Sequence, residues 1–125
     1  MKEIRAIIRP KRLSQLREAL RDISHFPGVT VFRGEGFTAP ESVDRRSLRA
    51  ELTDFTDKIL VSVIARDEMV NPITEVIMRE CRTSQLGDGL IWVMPVVSVQ
   101  RIRDGHWLQA DEGGIECPSS QSDIV

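Results

Sequence analysis

Apolar residues recur along the first part of the chain with two periods, one typical of strands and one typical of helices. Residues 3–9 are rich in isoleucine and stop at Pro10, which predicts a first strand because proline cannot extend a backbone ladder. Across residues 11–24 the apolar positions lie three or four apart, which predicts an amphipathic helix with charged side chains facing outward. A second strand is expected from residue 29 to about residue 37.

The later apolar segments repeat this order. Residues 59–64 (ILVSVI) form a continuous apolar run that predicts a third strand. Asp67 can cap a second helix, whose apolar stripe at helical spacing extends to about Cys81. The run LIWVM at residues 90–94 predicts a fourth strand that is buried on both faces and emerges at residues 100–103.

Strand, helix, strand, strand, helix, strand is the ferredoxin-like βαββαβ order of an α+β fold. In this arrangement two helices cover one face of an antiparallel sheet, and the other face has no helix on it. Apolar strand residues are available for both faces, and they include Ile7, Val61, Val63 and Val97. Because an uncovered apolar face tends to become buried, we expect it to pack against copies of the chain.

The chain has 125 residues, which is the size of one domain with a substantial core. We expect this domain to span residues 1–105. Within it, residues 38–57 are polar and charged, and such a long connection between strands is typical of a mobile, functional loop. The segment 106–125 contains Gly, Pro and Ser, which predicts a flexible C-terminal tail.

Composition narrows the class of protein and its compartment. A formal net charge of -2 gives no basis for expecting nucleic acid as a partner, since nucleic-acid binding requires a basic surface. No apolar run is long enough to cross a bilayer, and the charged N-terminus lacks the pattern of a signal peptide. Cys81 and Cys117 are far apart and form no CxxC or Cys/His motif, which favours a reduced, cytoplasmic setting.

The strongest candidate for chemistry is a tight turn at Gly87, Asp88 and Gly89, followed by two arginines. Glycine adopts positive φ without a Cβ clash, so a turn of this kind lets an anion approach the backbone. On the predicted strand, Arg101 and Arg103 would point the same way and offer two guanidinium groups to a phosphate. Taken alone, the turn is as well explained by an ordinary loop before a buried strand, and the two arginines by a solvent-exposed strand end. Together they favour a phosphate-bearing ligand.

The sequence gives little support for a metal site or a catalytic site. His25 and His106 are isolated and no third ligand is evident, which argues against a metal site. No Ser-His-Asp set, nucleophile elbow or pair of carboxylates can be recognised. We therefore expect a binding protein and not an enzyme.

Several segments resemble the PII signal-transduction family, in this order along the chain: MKEIRAIIRP, PGVTV, GEGF, TDFTDKILVSVI, RTSQLGDGLIWVMPV and VQRIRDG. The likeness covers roughly the first 105 residues, and its most specific part is the GDG turn coupled to the later RIR. It implies a trimer of ferredoxin-like subunits that binds ATP or ADP in the clefts between subunits. It also implies that the long loop contacts partner proteins.

The resemblance assigns residues of this chain to a nucleotide site. Those it places at the phosphates are Gly87, Asp88, Gly89, Arg101, Arg103 and Lys58. Those it places beside the adenine are Thr30 and Ile64, and those at the base of the partner-binding loop are Gly36 and Phe37. No tightly bound cofactor is implied, and the effector ligand would be ADP, ATP or AMP.

The chain departs from the family pattern at three points. Leu90 replaces the lysine that follows GDG, so one charge contact to phosphate is missing. Thr38, Ala39 and Pro40 stand where typical members carry a glutamine that helps hold Mg-ATP and 2-oxoglutarate, and the chain has no tyrosine to be modified. These differences indicate a divergent PII-like protein. The resemblance implies that it responds to an adenine nucleotide and regulates an enzyme or a membrane transporter.

Two other functions on the same fold stay open on the sequence alone. One is a metal-tolerance trimer resembling the CutA proteins, for which two isolated histidines and two cysteines are poor support. The other is a small phosphate-handling hydrolase of the acylphosphatase type. It would need an arginine-bearing loop beside a water-orienting amide, and no such pairing stands out.

Overall fold

The computed structural model describes residues 1–37 and 55–108. Its strands are β1 (Lys2–Ile8), β2 (Thr30–Gly36), β3 (Thr56–Ala65), β4 (Ile91–Pro95), β5 (Val99–Gln100) and β6 (Trp107–Leu108). Its helices are α1 (Leu13–Arg21) and α2 (Val70–Cys81), and each follows a 3₁₀ turn, at Pro10–Arg12 and Asp67–Met69 respectively.

Four of these strands form one antiparallel sheet in the order β2-β3-β1-β4. β1 lies inside the sheet and pairs with both β3 and β4, in registers that place Ile4 opposite Val63 on one side and Val93 on the other. β5 and β6 pair separately as a short hairpin. The predicted α+β fold, with a ferredoxin-like sheet and two helices, is therefore confirmed.

One face of the sheet and the two helices enclose the hydrophobic core. Side chains on β1 alternate between faces, so Ile4, Ala6 and Ile8 are buried while their neighbours stay partly exposed. The other buried core residues are Leu16 and Leu20 of α1, Ile59, Val61, Val63 and Ala65 of β3, and Ile73, Val76 and Ile77 of α2. Both helices therefore cover the same face of the sheet, as predicted.

The opposite face of the sheet carries apolar side chains, and neither helix of residues 1–37 and 55–108 covers it. Leu60 and Phe32 are neighbours on this face, and Phe32 is 50% exposed. On the same face, Glu3 accepts hydrogen bonds from Arg5 Nε and from the Ser62 hydroxyl, both at 2.7 Å. The bond from Arg5, followed by that from Ser62, lowers the pKa of the Glu3 carboxyl. The uncovered face thus combines apolar side chains with a polar cluster whose members bond to each other.

The fourth strand is less buried than the sequence predicts. β4 is an edge strand that pairs only with β1 in the described sheet, so the run expected to be buried on both faces is partly open. Leu90 is 70% exposed and Val93 is 41% exposed. Val97, expected to contribute to a face of the sheet, lies in a bend after β4 and is fully exposed.

The expectation that residues 100–103 continue this strand is wrong. The chain turns back between β5 and β6. The Arg101 N–H donates to the His106 carbonyl and the Gly105 N–H donates to the Arg101 carbonyl, both at 2.8 Å. Gly105 has a φ of +72°, which favours glycine and permits the tight reversal.

The predicted loop and tail lie largely outside the described residues. β3 begins at Thr56, so the end of the predicted loop 38–57 belongs to a strand, and residues 38–54 are outside the described part of the chain. Of the predicted tail 106–125, β6 is part of the hairpin, and residues 109–125 are also outside the described part.

Ile73→Ala should destabilise the fold strongly, because Ile73 of α2 is fully buried in the core. Truncating a buried isoleucine to alanine lowers the free energy of unfolding by about 2–5 kcal/mol. Ile102→Ala is the matched control: Ile102 is 99% exposed, and its truncation should change that free energy by less than about 0.5 kcal/mol. Urea unfolding followed by circular dichroism measures both, and equal effects would contradict the described core.

Candidate functional site

The turn at residues 87–89 is organised by the carboxylate of Asp88. It accepts hydrogen bonds from the Thr83 N–H at 2.8 Å, the Thr83 hydroxyl at 2.6 Å and the Ser84 N–H at 2.9 Å. Arg9 Nε donates a further bond at 3.0 Å. The acceptor positions of Asp88 are therefore taken up by its own loop and by Arg9, and the side chain holds the turn in place.

Arg9 connects this turn to the end of β1, a role that the sequence does not indicate. Besides its bond to Asp88, Arg9 donates from Nη2 to the Leu86 carbonyl at 2.7 Å. Gly87, at a φ of +99°, lies so close that a Cβ there would approach Arg9 Nη2 to 2.9 Å. No local pattern connects Arg9 with a loop so far along the chain, so spacing alone could not have found it.

These contacts keep Asp88 ionised. Burial alone would raise the pKa of its carboxyl, but the hydrogen bonds from Thr83, Arg9 and Ser84 outweigh this effect and hold the pKa well below its usual range. The acidic side chain itself repels an anion. Any attraction of phosphate to the turn must therefore come from the backbone N–H groups and from neighbouring cations.

Gly89 brings the turn against β1. A Cβ at this position would overlap the carbonyl oxygen of Ile7, so another residue would force the backbone to move. The Ile7 N–H donates to the Leu90 carbonyl at 2.9 Å and connects β1 to the residue that precedes β4. The close approach of two backbones thus requires glycine here, independently of any ligand.

Lys58 of β3 reaches the same turn, with Nζ 3.2 Å from the Gly87 carbonyl oxygen. A groove of about 650 Å³ lies beside it on the uncovered face of the sheet. The predicted site residues that line this groove are Gly36, Phe37, Lys58, Asp88 and Gly89. Its apolar lining includes Ile7, Phe32, Leu60, Leu90 and Trp92. The structure thus brings together the turn, a lysine and the start of the predicted loop.

The residues that flank the segment 38–54 lie close together, and Phe37 lines this groove. The rings of Phe37 and Phe55 pack edge to face, with centroids 5.0 Å apart and planes at 83°. Gly36 and Thr56 lie opposite each other at the end of the β2–β3 ladder. Both chain ends of the predicted partner-binding loop are therefore held close together.

Thr30 and Ile64 lie at the other end of the sheet. Thr30 starts β2 opposite Ser62, and Ile64 is near the end of β3, whereas Lys58 is near its start. With roughly 3.3 Å of rise per residue along a strand, Ile64 is about 20 Å from Lys58. Ile64 borders a second cavity of about 600 Å³, whose lining includes residues of the β5–β6 hairpin.

Arg101 and Arg103 lie at the turn of that hairpin, and not on one face of a strand as the sequence analysis expected. Arg101 Nε and Nη2 donate to the two carboxylate oxygens of Asp104 at 3.2 and 3.1 Å, which is a bidentate ion pair. Arg103 Nη2 is 3.8 Å from Asp104 Oδ2, and its side chain is 75% exposed. The hydrogen bonds from Arg101 and from the His106 N–H lower the pKa of Asp104 to about 2.

The predicted site residues thus form two groups within one chain. The turn group comprises Gly36, Phe37, Lys58, Gly87, Asp88 and Gly89. The other residues, which we call the hairpin group, are Ile64, which borders the cavity beside the hairpin, Arg101 and Arg103 in the hairpin turn, and Thr30 at the start of β2. About 20 Å of sheet separates Lys58 of the first group from Ile64 of the second, so one chain alone does not assemble a single compact site.

Other types of site are not evident in residues 1–37 and 55–108. No three His, Cys, Asp or Glu side chains of this part gather where they could hold a metal ion. Burial raises the pKa of the Cys81 thiol to about 11, so this cysteine is a poor nucleophile at neutral pH. Neither α1 nor α2 has the length and apolar character needed to span a bilayer.

The order of motifs along this chain matches a known family. The family profile described as "Nitrogen regulatory protein P-II" matches residues 1–106. The chain belongs to the P-II family. The resemblance to this family that the sequence motifs indicate is thereby confirmed. The chain therefore falls within a family of regulatory proteins.

Several P-II relatives match over most of their length. Nitrogen regulatory protein P-II of Azospirillum brasilense is 37% identical over 107 residues, which cover 85% of this chain and 95% of the relative. The P-II protein of Porphyra purpurea is 38% identical over 104 residues, or 82% and 92% of the two chains. Nitrogen regulatory protein P-II 1 of Escherichia coli K12 is 36% identical over 107 residues, or 85% and 95%.

Gly89→Ala should destabilise this P-II fold, because the added Cβ meets the Ile7 carbonyl. Overpacking of this kind lowers the free energy of unfolding by about 1–3 kcal/mol. Gly34→Ala is the matched control, since nothing lies within 4 Å of a Cβ at Gly34. Thermal unfolding by circular dichroism compares the two variants, and an equal fall in Tm would argue against the close approach at Gly89.

Asp88→Asn should remove stability at neutral pH and make little difference in acid. The pKa of Asp88 is lower in the folded state than its usual value, so the ionised carboxylate stabilises the fold. This contribution is fully present above the unfolded pKa of about 3.9 and is lost as pH falls through the folded pKa.

Urea unfolding of wild type and Asp88→Asn at a series of pH values measures this contribution. The difference in free energy of unfolding should be about 1–3 kcal/mol at pH 7 and should shrink below about pH 4. A difference that does not vary with pH would rule out a stabilising role for the ionised carboxylate.

Proposed function

We propose that this P-II protein binds an adenine nucleotide in a cleft between neighbouring subunits of a homotrimer and thereby controls a target protein. The observation that supports this most is the separation of the turn group and the hairpin group at opposite ends of one sheet. A second copy of the chain can place its hairpin group against the turn group of the first. Head-to-tail contacts of this kind close into a ring when the rotation between subunits allows it.

The turn group offers the chemistry for a phosphate. Gly87 has positive φ, and backbone N–H groups in such a turn form a favourable site for an anion. Lys58 supplies a cation beside the Gly87 carbonyl. From the neighbouring subunit, Arg101 and Arg103 would add guanidinium groups, whose paired N–H donors match phosphate oxygens.

The hairpin end of the sheet offers a place for the adenine ring. Ile64, which is 40% exposed, borders the cavity of about 600 Å³ beside the hairpin. A cavity of this size is typical of small-molecule sites. Thr30 is exposed at the start of β2 and provides a hydroxyl that can bond to a ring nitrogen.

The uncovered sheet face favours self-association. Exposed apolar side chains such as Phe32 contribute roughly 25 cal/mol for each Å² that a neighbouring subunit covers. The polar cluster of Glu3, Arg5 and Ser62 is already hydrogen-bonded within the chain. It can therefore enter an interface without leaving its bonded groups unpaired.

Nucleotide occupancy is proposed to act on the segment 38–54 through its two ends. Gly36 and Phe37 line the same groove as Asp88 and Gly89 of the turn. A nucleotide can shift the loop only by the difference in its affinity for two loop states. The proposed effector is ADP, ATP or AMP, the proposed target is an enzyme or a membrane transporter, and the proposed role is cytoplasmic binding and not catalysis.

Mixing two binding-defective variants tests the shared cleft. Lys58→Ala and Arg101→Ala should each weaken nucleotide binding about tenfold or more, because each removes a charge-assisted contact to phosphate. When the two variants are refolded together, some clefts combine an intact Lys58 from one subunit with an intact Arg101 from its neighbour. Titration calorimetry should then recover a fraction of sites with wild-type affinity, which neither variant shows alone.

The control for this experiment is Arg17→Ala, on the exposed side of α1, which should leave nucleotide affinity unchanged. Sedimentation of the same samples should report a trimer. Absence of nucleotide binding by the wild type, or absence of tight sites in the mixed samples, would contradict the proposal.

A further inference from the structure

We propose that Asp104 restricts the phosphate charge that the nucleotide site accepts, so that AMP or ADP binds in preference to ATP. This role of Asp104 depends on the proposed site between subunits and sets the selectivity of that site. Asp104 lies within the VQRIRDG segment, directly after Arg103, but the resemblance assigns it no role in the nucleotide site.

Asp104 occupies an arginine that the site would use. Its two carboxylate oxygens accept Arg101 Nε at 3.2 Å and Arg101 Nη2 at 3.1 Å. Arg103 Nη2 lies 3.8 Å from the same carboxylate. The His106 N–H donates to Asp104 at 3.0 Å and fixes the orientation of the carboxylate. The carboxylate is therefore held where a phosphate oxygen would otherwise bind Arg101.

This pairing reduces the positive charge of the hairpin. The charges of Arg101, Arg103 and Asp104 sum to a single positive charge. A guanidinium has more N–H donors than one carboxylate can accept. The N–H groups of Arg101 that do not face Asp104 can therefore still contact one phosphate. A longer phosphate chain places more negative charge near the carboxylate, and the repulsion grows with each added phosphate.

The groove of the turn group adds little positive charge to offset this repulsion. Among its described lining residues, Lys58 and Arg33 are basic and Glu35 and Asp88 are acidic, and Arg9, which pairs with Asp88, leaves one net positive charge. Leu90, which directly follows the turn, is 70% exposed and carries no charge. Both sides of the proposed cleft therefore suit a ligand with few phosphates.

Titration calorimetry of the full-length protein with AMP, ADP and ATP, without Mg²⁺, tests this role. Asp104→Asn keeps the shape of the side chain and an acceptor for the His106 N–H, but removes the charge. Its affinity for ATP should rise about two- to fivefold, as expected for one exposed charge interaction, and its affinity for AMP should change less. Glu18→Gln, on the exposed side of α1, removes the same charge elsewhere and should change neither affinity.

An unchanged ratio of ATP to AMP affinity in Asp104→Asn would overturn the role of Asp104, and so would weaker ATP binding by the variant. If circular dichroism shows that this variant does not fold, Asp104→Ser gives the same comparison, since serine also removes the charge and keeps an acceptor. If the wild type binds no adenine nucleotide, the proposed function fails and the role of Asp104 fails with it. If the wild type binds nucleotides but charge removal leaves the ratio unchanged, only the role of Asp104 is refuted.

Discussion

The hydrogen bonds to the Asp88 carboxylate hold together the part of the molecule on which the candidate site depends. Thr83 and Ser84 bind it from within the loop, and Arg9 binds it from the end of β1. A charged group that is partly buried needs such partners, since desolvation without them is unfavourable. Through these bonds the turn keeps a fixed position relative to Lys58. The geometry offered to a ligand thus depends on a carboxylate whose own bonds are to the protein.

Much of the fold could be predicted because its signals are local. The apolar run at residues 59–64 and the helical spacing within Val70–Cys81 both reflect packing on the core, and each is visible in a short window. The exposure of β4 is not visible in this way. An edge strand can carry the same apolar run as a central strand. The sequence alone does not show whether a strand has a neighbouring strand on both sides or on one.

The candidate site was only partly predictable, for physical reasons that differ between residues. The glycines of the turn stand out because backbone geometry demands them. Arg9 is separated from Asp88 by 79 positions, and only the assembled sheet brings them together. Asp104 is close to Arg101 in sequence, yet it follows the predicted strand, and extended backbone would turn the two side chains to opposite faces. The hairpin turn, which the apolar pattern did not indicate, folds the carboxylate back onto the guanidinium.

The ring contact between Phe37 and Phe55 bears on how proteins with this architecture can diversify. It holds residues 37 and 55 next to each other at the end of the β2–β3 ladder. Closing a flexible loop costs only about 0.6 kcal/mol more for each doubling of its length. Residues can therefore be inserted, deleted or exchanged between the two phenylalanines with little loss of stability. Changes between the two rings therefore leave the β2–β3 ladder and the core as they are.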